Sequence, residues 1–563
     1  MSIGGIFANE FWKSYRKRLL LNKSRKDKQK AKLKHKGTIP LENEKLKLLN
    51  NLSGDVKTII TMNMEELIEF LKKHEDNYKI VFNSYQQQAL FHDQRLNCVV
   101  EFIKLDISDV NLSGPFAGMP ISIKDNLIIK GYESYAGCSS FLGKPKATMS
   151  CVLVKVLQML GGIPFVKTTV PQTMMTILAS NPIDGIFKNP QSIKFLPGGS
   201  SSGEGALVGA KGSVLGFGSD IGGSVRLPAA FCGVVGLKPT VGRISSKDVF
   251  KLGIPTLVRS VLGPICQDVK SCAFAMKCIF DSELMSKLDP EIPYLPFKEE
   301  NYNKKKLKIG YFSYDDSYYV IPAMKRAVEE AVKHLKDRGH EVIEWKPPRC
   351  GREWWKLYLR SVSTDGGHKL KAIIENDHID TAILNGILHV DGNIFSSIYN
   401  FFKYKLPDFM VDPDQKLFYQ CSKEALNSSK CMSLLGEIET FRVDVINEWS
   451  RCGLDGVVCP AGGFTALPIK AKGLYSPLLS YIFVWNLVNF PAGTVPVTKV
   501  SRADIENLQS NPIFRSTPVQ RNISNLQENT EGLSVSVQCV SLPWKEELCL
   551  NLMREVETIR FAI

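Results

Sequence analysis

The sequence has fourteen cysteines but no pair with the Cys-x-x-Cys spacing that structural zinc sites commonly use. We therefore expect reduced core cysteines, as in proteins of the cytosol, and the sequence implies neither a metal nor a cofactor. Histidine is also scarce: the chain has eight, and none lies between His92 and His334. A nucleophile within that interval has no imidazole close in sequence to serve as its base.

Long apolar segments are few. Residues 477–497 are long enough to span a membrane, but Asn486 and Asn489 interrupt the segment, and Pro491 would break a helix. We therefore predict a buried helix followed by a core strand in this segment. The sequence predicts no transmembrane helix and no signal peptide.

The positive charge is distributed unevenly. The chain carries a net charge of +14, and residues 1–36 hold twelve Lys or Arg against Glu10 and Asp27, which gives this part +10. The rest is nearly neutral, so a nucleic-acid partner is not expected. Apolar residues recur every four positions near the N-terminus, namely Ile3, Phe7, Phe11, Tyr15 and Leu19. Residues 1–37 are interpreted as a basic amphipathic arm, either a helix anchored in a membrane interface or a disordered tail.

Three regions follow one another along the chain. After the arm, residues 38–95 are predicted to be helical and to pack on the core, and residues 96–563 alternate short apolar runs with amphipathic stretches, as α/β folds do. Within the last region, residues 394–410 mix aromatic and aliphatic side chains with two lysines. This segment is interpreted as a cap that docks on a membrane, and an ordinary core helix is the alternative.

Glycine and serine are concentrated between residues 197 and 233, where Ser200 and Ser224 stand 24 positions apart in similar glycine-rich settings. The segment Gly199–Gly203 matches the pattern G-x-S-x-G, the nucleophile elbow of the α/β-hydrolases, with Ser201 as its nucleophile. That interpretation requires a histidine downstream of the elbow. Such short matches are frequent in runs rich in glycine and serine.

Longer blocks of sequence are more specific. They are GMPISIKD at 118–125, GGSSSG at 198–203, DIGGSVR at 220–226 and GLKPT at 236–240. In this order and spacing they resemble the amidase signature family. The segments 170–174, 489–497 and 538–549 are similar to the fatty acid amide hydrolases within that family, and the similarity extends from about Asn97 to Glu557.

The resemblance implies a fold and an activity. The fold would be a mixed, mostly parallel twisted β-sheet surrounded by α-helices, with residues 96–563 as the catalytic domain that includes the cap. The activity would be hydrolysis of long-chain fatty acid amides, such as N-acylethanolamines and primary fatty amides, to a fatty acid plus an amine or ammonia. The alternatives are a soluble amidase for small amides and an A-type amidotransferase subunit. The resemblance also implies a homodimer at the cytosolic face of internal membranes such as the endoplasmic reticulum.

Three residues would carry the chemistry if the family pattern holds. Ser224 would be the nucleophile, Ser200 would relay its proton, and Lys124 would be the terminal base. Since an amide is a poor electrophile with a poor leaving group, such an enzyme must both activate a nucleophile and protonate the departing nitrogen. Lysine can act as the base because burial lowers the pKa of its amine.

Other residues would support this triad. The resemblance implies a cis peptide bond between Gly199 and Ser200, and Met174 would line the acyl pocket. The backbone N–H groups expected to form an oxyanion hole are those of Ile221, Gly222, Gly223 and Ser224. Asp220 and Arg226 are expected to form a buried pair that braces the loop. Ser201 is assigned a structural hydrogen-bonding role, and Lys238 is a rival base in a different motif.

Overall fold

A computed structural model describes residues 54–73, 76–105, 111–375, 377–380, 413–472 and 474–561. The proposed arm at 1–37 and the proposed cap at 394–410 lie outside these described residues. All fourteen cysteines lie inside them as free thiols, most of them buried.

Thirteen β-strands are described. They are β1 (Val99–Phe102), β2 (Pro120–Lys124), β3 (Ile163–Thr168), β4 (Ser180–Asn181), β5 (Gly185–Ile186), β6 (Leu215–Asp220), β7 (Val235–Lys238), β8 (Val261–Cys266), β9 (Lys308–Tyr311), β10 (Glu341–Glu344), β11 (Gly456–Pro460), β12 (Ala492–Lys499) and β13 (Ser534–Val540). Strands β4 and β5 form a small hairpin, and the other eleven form one sheet.

Eighteen α-helices are described. They are α1 (Gly54–Thr61), α2 (Met64–Lys73), α3 (Asn77–Leu96), α4 (Val152–Met159), α5 (Ser202–Gly209), α6 (Arg226–Cys232), α7 (Val269–Asp281), α8 (Leu284–Leu288), α9 (Glu299–Tyr302), α10 (Pro322–Asp337), α11 (Gly351–Val362), α12 (His368–Glu375), α13 (Pro413–Lys423), α14 (Ser428–Cys452), α15 (Ser480–Leu487), α16 (Arg502–Ser510), α17 (Pro518–Leu526) and α18 (Glu546–Glu557). Short 3-10 helices lie at Ser139–Phe141, Gln172–Met174, Ser476–Leu479, Pro512–Arg515 and Thr558–Phe561.

The large sheet has the order β1-β3-β2-β6-β8-β7-β12-β13-β11-β9-β10. The predicted class, a mixed sheet surrounded by helices, is confirmed. The four parallel pairs are β2 with β3, β2 with β6, β9 with β10, and β9 with β11. The other six neighbouring pairs are antiparallel, so the sheet is less parallel than the sequence analysis expected. Antiparallel neighbours need no crossover helix of their own, and much of the central sheet is built in this way.

Local periodicity predicted several of these elements. The pattern at 151–169 gives helix α4 and strand β3, with the chain turning at Gly161 and Gly162 between them. Residues 306–345 give a strand, a helix and a parallel strand, namely β9, α10 and β10. Residues 477–497 contain the buried helix α15 followed by strand β12, as predicted. Among the described residues, no helix is both long enough and apolar enough to cross a membrane.

The centre of the sheet positions two short helices. Strand β2 is buried along its whole length and lies between β3 and β6, which are also fully buried. Helix α5 begins just after Ser201, and α6 begins just after Val225. The glycine-rich segments that precede these two helices therefore meet beside the ends of β2 and β6.

Candidate active site

Lys124 is the last residue of β2, and its side chain is fully buried. Its Nζ lies 2.9 Å from Ser200 Oγ, 2.9 Å from Ser219 Oγ and 3.2 Å from the Ser219 carbonyl oxygen. A neutral amine has two N–H donors and one lone pair. The two oxygens of Ser219 can accept from these donors while the Ser200 hydroxyl donates to the lone pair, and the same three oxygens can accept from the three donors of an ammonium, so the contacts fit either form.

Burial dominates the electrostatics of this amine. Desolvation lowers the pKa of Lys124 from 10.5 to about 7, although the nearby carboxylates of Asp220, Glu204 and Asp125 act in the opposite direction. Asp125 is itself in a buried ion pair with Lys167, at 3.2 Å. Near neutral pH a large fraction of Lys124 is therefore uncharged and able to accept a proton.

Ser200 lies in the loop that precedes α5. The peptide bond between Gly199 and Ser200 is cis, as the resemblance implied. The next residue joins the two glycine-rich segments, because the N–H of Ser201 donates to the carbonyl oxygen of Ser224 at 3.1 Å. The hydroxyl of Ser201 is buried and has no hydrogen-bond partner among the described residues. Its structural role therefore belongs to its backbone rather than to its side chain.

The segment that carries Ser224 folds around the carboxylate of Asp220. The N–H groups of Gly223 and Val225 donate to this carboxylate at 2.8 and 3.1 Å. Arg226 also binds it, with both Nε and a terminal nitrogen at 3.1 Å. Gly223 has a φ of +99°, a conformation that side chains disfavour. The loop is thus held by one buried carboxylate at its centre.

Arg226 extends this network away from the cavity. Its side chain is fully buried and donates to Gln538 Oε1 at 2.6 Å, to the carbonyl oxygen of Ile482 at 3.2 Å, and to Asn486. Burial alone would raise the pKa of Asp220, but the Arg226 guanidinium and the Asn486 amide bring it well below its usual range. Asp220 and Arg226 therefore form a charged pair with several compensating hydrogen bonds.

The backbone N–H groups of the loop are not all equivalent. Gly223 donates to Asp220 instead of facing the cavity, which differs from its expected place in an oxyanion hole. The N–H groups of Ile221, Gly222 and Ser224 have no protein acceptor in the described part of the chain. Tyr358 packs behind this segment and donates from its hydroxyl to the Ile221 carbonyl oxygen at 3.3 Å. Three N–H groups thus remain available for a ligand oxygen.

A cavity of about 1140 Å³ opens beside these residues. Ser200, Ser224 and Ile221 line it, and so does Met174. Although the hydroxyls of Ser200 and Ser224 share this cavity, no hydrogen bond joins them in the described residues. No histidine is among the described lining residues, so the interpretation of Gly199–Gly203 as an α/β-hydrolase elbow lacks its base.

Several contacts of the site were absent from the sequence analysis. Ser219 contacts the amine of Lys124 directly, and Asn126 Oδ1 accepts from the Ser219 hydroxyl at 3.3 Å. Both residues also line the cavity. They flank the sequence blocks that resemble the amidase signature family, since Asn126 follows Lys124-Asp125 and Ser219 precedes Asp220, and this adjacency was the one indication that the sequence offered.

The rival base lies apart from the cavity. Burial lowers the pKa of Lys238 to about 7, as for Lys124. Among the described residues, however, the acceptor of Lys238 Nζ is the Pro239 carbonyl oxygen, at 3.1 Å, and Lys238 is not among the residues that line the cavity described above. Within the described ranges, no group of three or more His, Cys, Asp or Glu side chains is arranged to hold a metal ion.

The family model described as Amidase matches residues 81–550. Fatty-acid amide hydrolase 1 of Sus scrofa is 35% identical over 526 residues, which cover 91% of this chain and 88% of the relative. Fatty acid amide hydrolase 1 of Caenorhabditis elegans is 31% identical over 88% of both chains.

A solved structure titled fatty acid amide hydrolase has the same fold. It superposes with a TM-score of 0.74 at 22% identity, covering 98% of this chain and 95% of that structure. The family match spans most of the chain, and the matches to whole relatives agree with it. The chain therefore belongs to the amidase signature family and is a hydrolase similar to the fatty acid amide hydrolases.

Proposed function

We propose that this hydrolase cleaves the amide bond of long-chain fatty acid amides with Ser224 as nucleophile, Ser200 as proton relay and Lys124 as terminal base. The observation that carries the proposal is the 2.9 Å contact between the buried amine of Lys124 and the Ser200 hydroxyl, at the wall of a cavity that Ser224 also lines.

The first half of the reaction forms an acyl-enzyme. The Ser224 hydroxyl attacks the amide carbon while its proton passes to Ser200, which gives its own proton to the neutral amine of Lys124. Negative charge then develops on the former carbonyl oxygen. The N–H groups of Ile221, Gly222 and Ser224 would stabilise this oxyanion, and removal of one such donor typically costs about 2.7–4 kcal/mol.

The proton then returns along the same route. Lys124 protonates Ser200, and Ser200 protonates the nitrogen of the tetrahedral intermediate, so that the C–N bond breaks and the amine leaves. A water molecule next attacks the ester of Ser224, and its proton passes through Ser200 to Lys124; the relay then returns that proton to the Ser224 oxygen as the ester C–O bond breaks. The products are a fatty acid and an amine or ammonia, and the enzyme returns to its starting state.

The substrate class rests on the cavity and on the relatives. Its wall includes apolar side chains from three parts of the chain, among them Met174, Met175, Phe250, Leu252 and Ile292. A volume of about 1140 Å³ exceeds what a small polar amide such as acetamide would need. The names of the relatives from Sus scrofa and Caenorhabditis elegans also refer to fatty acid amides.

We further propose that the protein works as a homodimer at the cytosolic face of internal membranes. The basic arm at 1–37 and the segment at 394–410 would supply its attachment. Deletion of residues 1–37 would then reduce binding of the protein to vesicles that contain anionic lipid, while hydrolysis of a short soluble amide would be kept.

The test of the proposed function is a series of primary amides from acetamide to oleamide, assayed in detergent with wild type, Ser224→Ala and Ser201→Ala. We expect the rate to rise with chain length, to fall at least about a thousandfold in Ser224→Ala, and to persist in Ser201→Ala. Activity confined to short amides would contradict the lipid substrate while keeping the triad. If Ser201→Ala were inactive while Ser224→Ala stayed active, Ser201 would instead be the nucleophile.

A further inference from the structure

A buried carboxyl group that the proposed mechanism does not use lies next to the terminal base. Glu204 is in the first turn of α5 and is fully buried. One carboxyl oxygen accepts from Ser122 Oγ at 2.6 Å, and the other accepts from Thr168 Oγ1 at 2.7 Å. These partners are neutral, and no cation forms an ion pair with Glu204 in the described part of the chain.

The sheet provides a specific place for this carboxyl. Ser122 is on β2, Thr168 is on β3, and Gly216 is on the neighbouring strand β6. A Cβ at Gly216 would lie 1.9 Å from Glu204 Oε2, so any larger residue there would displace the carboxyl. Glu204 therefore ties helix α5 to two adjacent strands by hydrogen bonds and lies against a third.

That point connects the two ends of the proposed relay. Ser122 and Lys124 are two residues apart on β2, so their side chains lie on the same face of the sheet. Helix α5 begins two residues after Ser200, and Glu204 lies in its first turn. The carboxyl thus links the strand that carries the base to the helix that follows the relay serine.

The other carboxylates near Lys124 have cationic partners. Asp220 is paired with Arg226 at 3.1 Å, and Asp125 is paired with Lys167 at 3.2 Å. Within each of these two pairs the positive and negative charges largely compensate. The partners of Glu204 among the described residues are instead two neutral hydroxyls. Among these carboxylates Asp220 raises the pKa of Lys124 most and Glu204 comes second, and Glu204 does so without an ion-pair partner in the described part of the chain. Burial raises the pKa of Glu204 to about 7, and its hydrogen bonds and Lys124 oppose this shift.

We propose that Glu204 is a positioning residue that fixes Lys124 against Ser200 and, through its negative charge, sets the pH at which Lys124 becomes neutral. The inference rests on the proposed role of Lys124 as the base. A negative charge near the amine stabilises its protonated form, so the ionised carboxylate moves deprotonation of Lys124 to higher pH. Burial brings both pKa values to about 7, so the two groups change charge over the same pH range.

The test compares Glu204→Gln, which removes the charge and keeps the size, with Glu204→Asp, which keeps the charge. The matched control is Glu557→Gln, which removes another buried carboxylate, one that accepts from the N–H of Val269 at the start of α7. Two rates are measured from pH 5.5 to 9.5: kcat/KM for a fatty amide, and covalent labelling of Ser224 by a fluorophosphonate, in which the serine oxygen displaces fluoride.

For both rates we expect the midpoint of the acidic limb to fall by about half to one pH unit in Glu204→Gln. Glu204→Asp should restore it toward the wild-type value, and Glu557→Gln should leave it in place. A purely structural role would lower both rates without moving the midpoint, and a midpoint in Glu204→Gln equal to that of Glu557→Gln would overturn the proposal.

Two further outcomes are informative. If the probe does not label Ser224 in the wild type, the proposed function itself is wrong and this inference falls with it. If Glu204→Gln does not fold, Ser122→Ala takes its place. Loss of the Ser122 hydroxyl removes a hydrogen bond that favours the ionised form of Glu204, so less negative charge acts on Lys124. The midpoint should again move to lower pH, and an unchanged midpoint in Ser122→Ala would overturn the proposal.

Discussion

The low pKa of the buried Lys124 predicts how the rate of hydrolysis depends on pH. If Lys124 is the base, kcat/KM should follow the neutral fraction of its amine. With a pKa of about 7, about half of the amine is neutral at pH 7. An ordinary lysine with a pKa of 10.5 would be neutral in roughly one molecule in 3,000 at the same pH. The structure thus provides on the order of a thousandfold more of the active form.

The direction of the effect follows from burial. The Lys124 side chain is fully buried, and its hydrogen-bond partners in the described part of the chain are oxygens of Ser200 and Ser219, so its ammonium form is poorly solvated. The difference between 10.5 and about 7 corresponds to about 5 kcal/mol against the protonated state. Below pH 7 the rate should therefore fall about tenfold per pH unit, and above about pH 8 it should be constant until another group titrates.

The measurement is kcat/KM for a fatty amide with an uncharged head group, from pH 5.5 to 9.5 at constant ionic strength. Thermal unfolding at each pH identifies any loss of rate that comes from loss of fold. Lys124→Arg is the matched variant, since a guanidinium stays protonated throughout this range. A midpoint near pH 10, a profile without an acidic limb, or full activity in Lys124→Arg would refute the assignment of Lys124 as a base of low pKa.

Three further predictions concern the surroundings of the triad. Lys124→Met should raise the free energy of unfolding at pH 7 by about 1 to 4 kcal/mol, measured by denaturant titration. The reason is that the lysine pKa is lower in the folded state, so unfolding lets the amine take up a proton and thereby favours the unfolded wild type. A destabilised variant would contradict this. Gly222→Ala should lower kcat by about a hundredfold or more, since its Cβ would lie 2.0 Å from the Tyr358 hydroxyl, and Tyr358→Phe should partly restore the rate. Arg226→Met should lower stability by about 3–5 kcal/mol in thermal unfolding, because Asp220 is left buried without its cation, and a change below 1 kcal/mol would contradict that view.

The sequence was most informative where the site is built from contiguous blocks. Lys124 ends a strand of five buried residues, and Ser200 and Ser224 each precede a short helix, so local sequence determines how each residue is presented. Periodicity likewise predicted the unit β9–α10–β10, because its strands and helix are adjacent in sequence and pair with one another. Such features depend on neighbours along the chain and could be predicted without coordinates.

Contacts between distant segments could not be predicted in this way. Ser219 reaches Lys124 only because β6 pairs with β2, and Glu204 reaches Ser122 only because α5 packs across those strands. The N–H of Gly223 was assigned to an oxyanion hole on its position in a motif, but its actual acceptor depends on how the loop closes on Asp220. Strand order and direction depend on the whole sheet, so the share of antiparallel pairs was underestimated.

A lysine base, the role proposed for Lys124, would constrain the rest of the site. An amine of low pKa requires surroundings that solvate its ammonium form poorly, and in such surroundings a buried charge needs a partner of opposite sign or becomes neutral. Asp220 with Arg226, and Asp125 with Lys167, satisfy this requirement as ion pairs. Within the described residues, Glu204 satisfies it through hydrogen bonds from the hydroxyls of Ser122 and Thr168. Its negative charge, when present, raises the pKa of Lys124. A carboxylate paired directly with the amine would keep the lysine protonated. Glu204 instead accepts a hydrogen bond from Ser122, two residues before Lys124 on β2, and from there it can raise the pKa of the amine without abolishing its basicity.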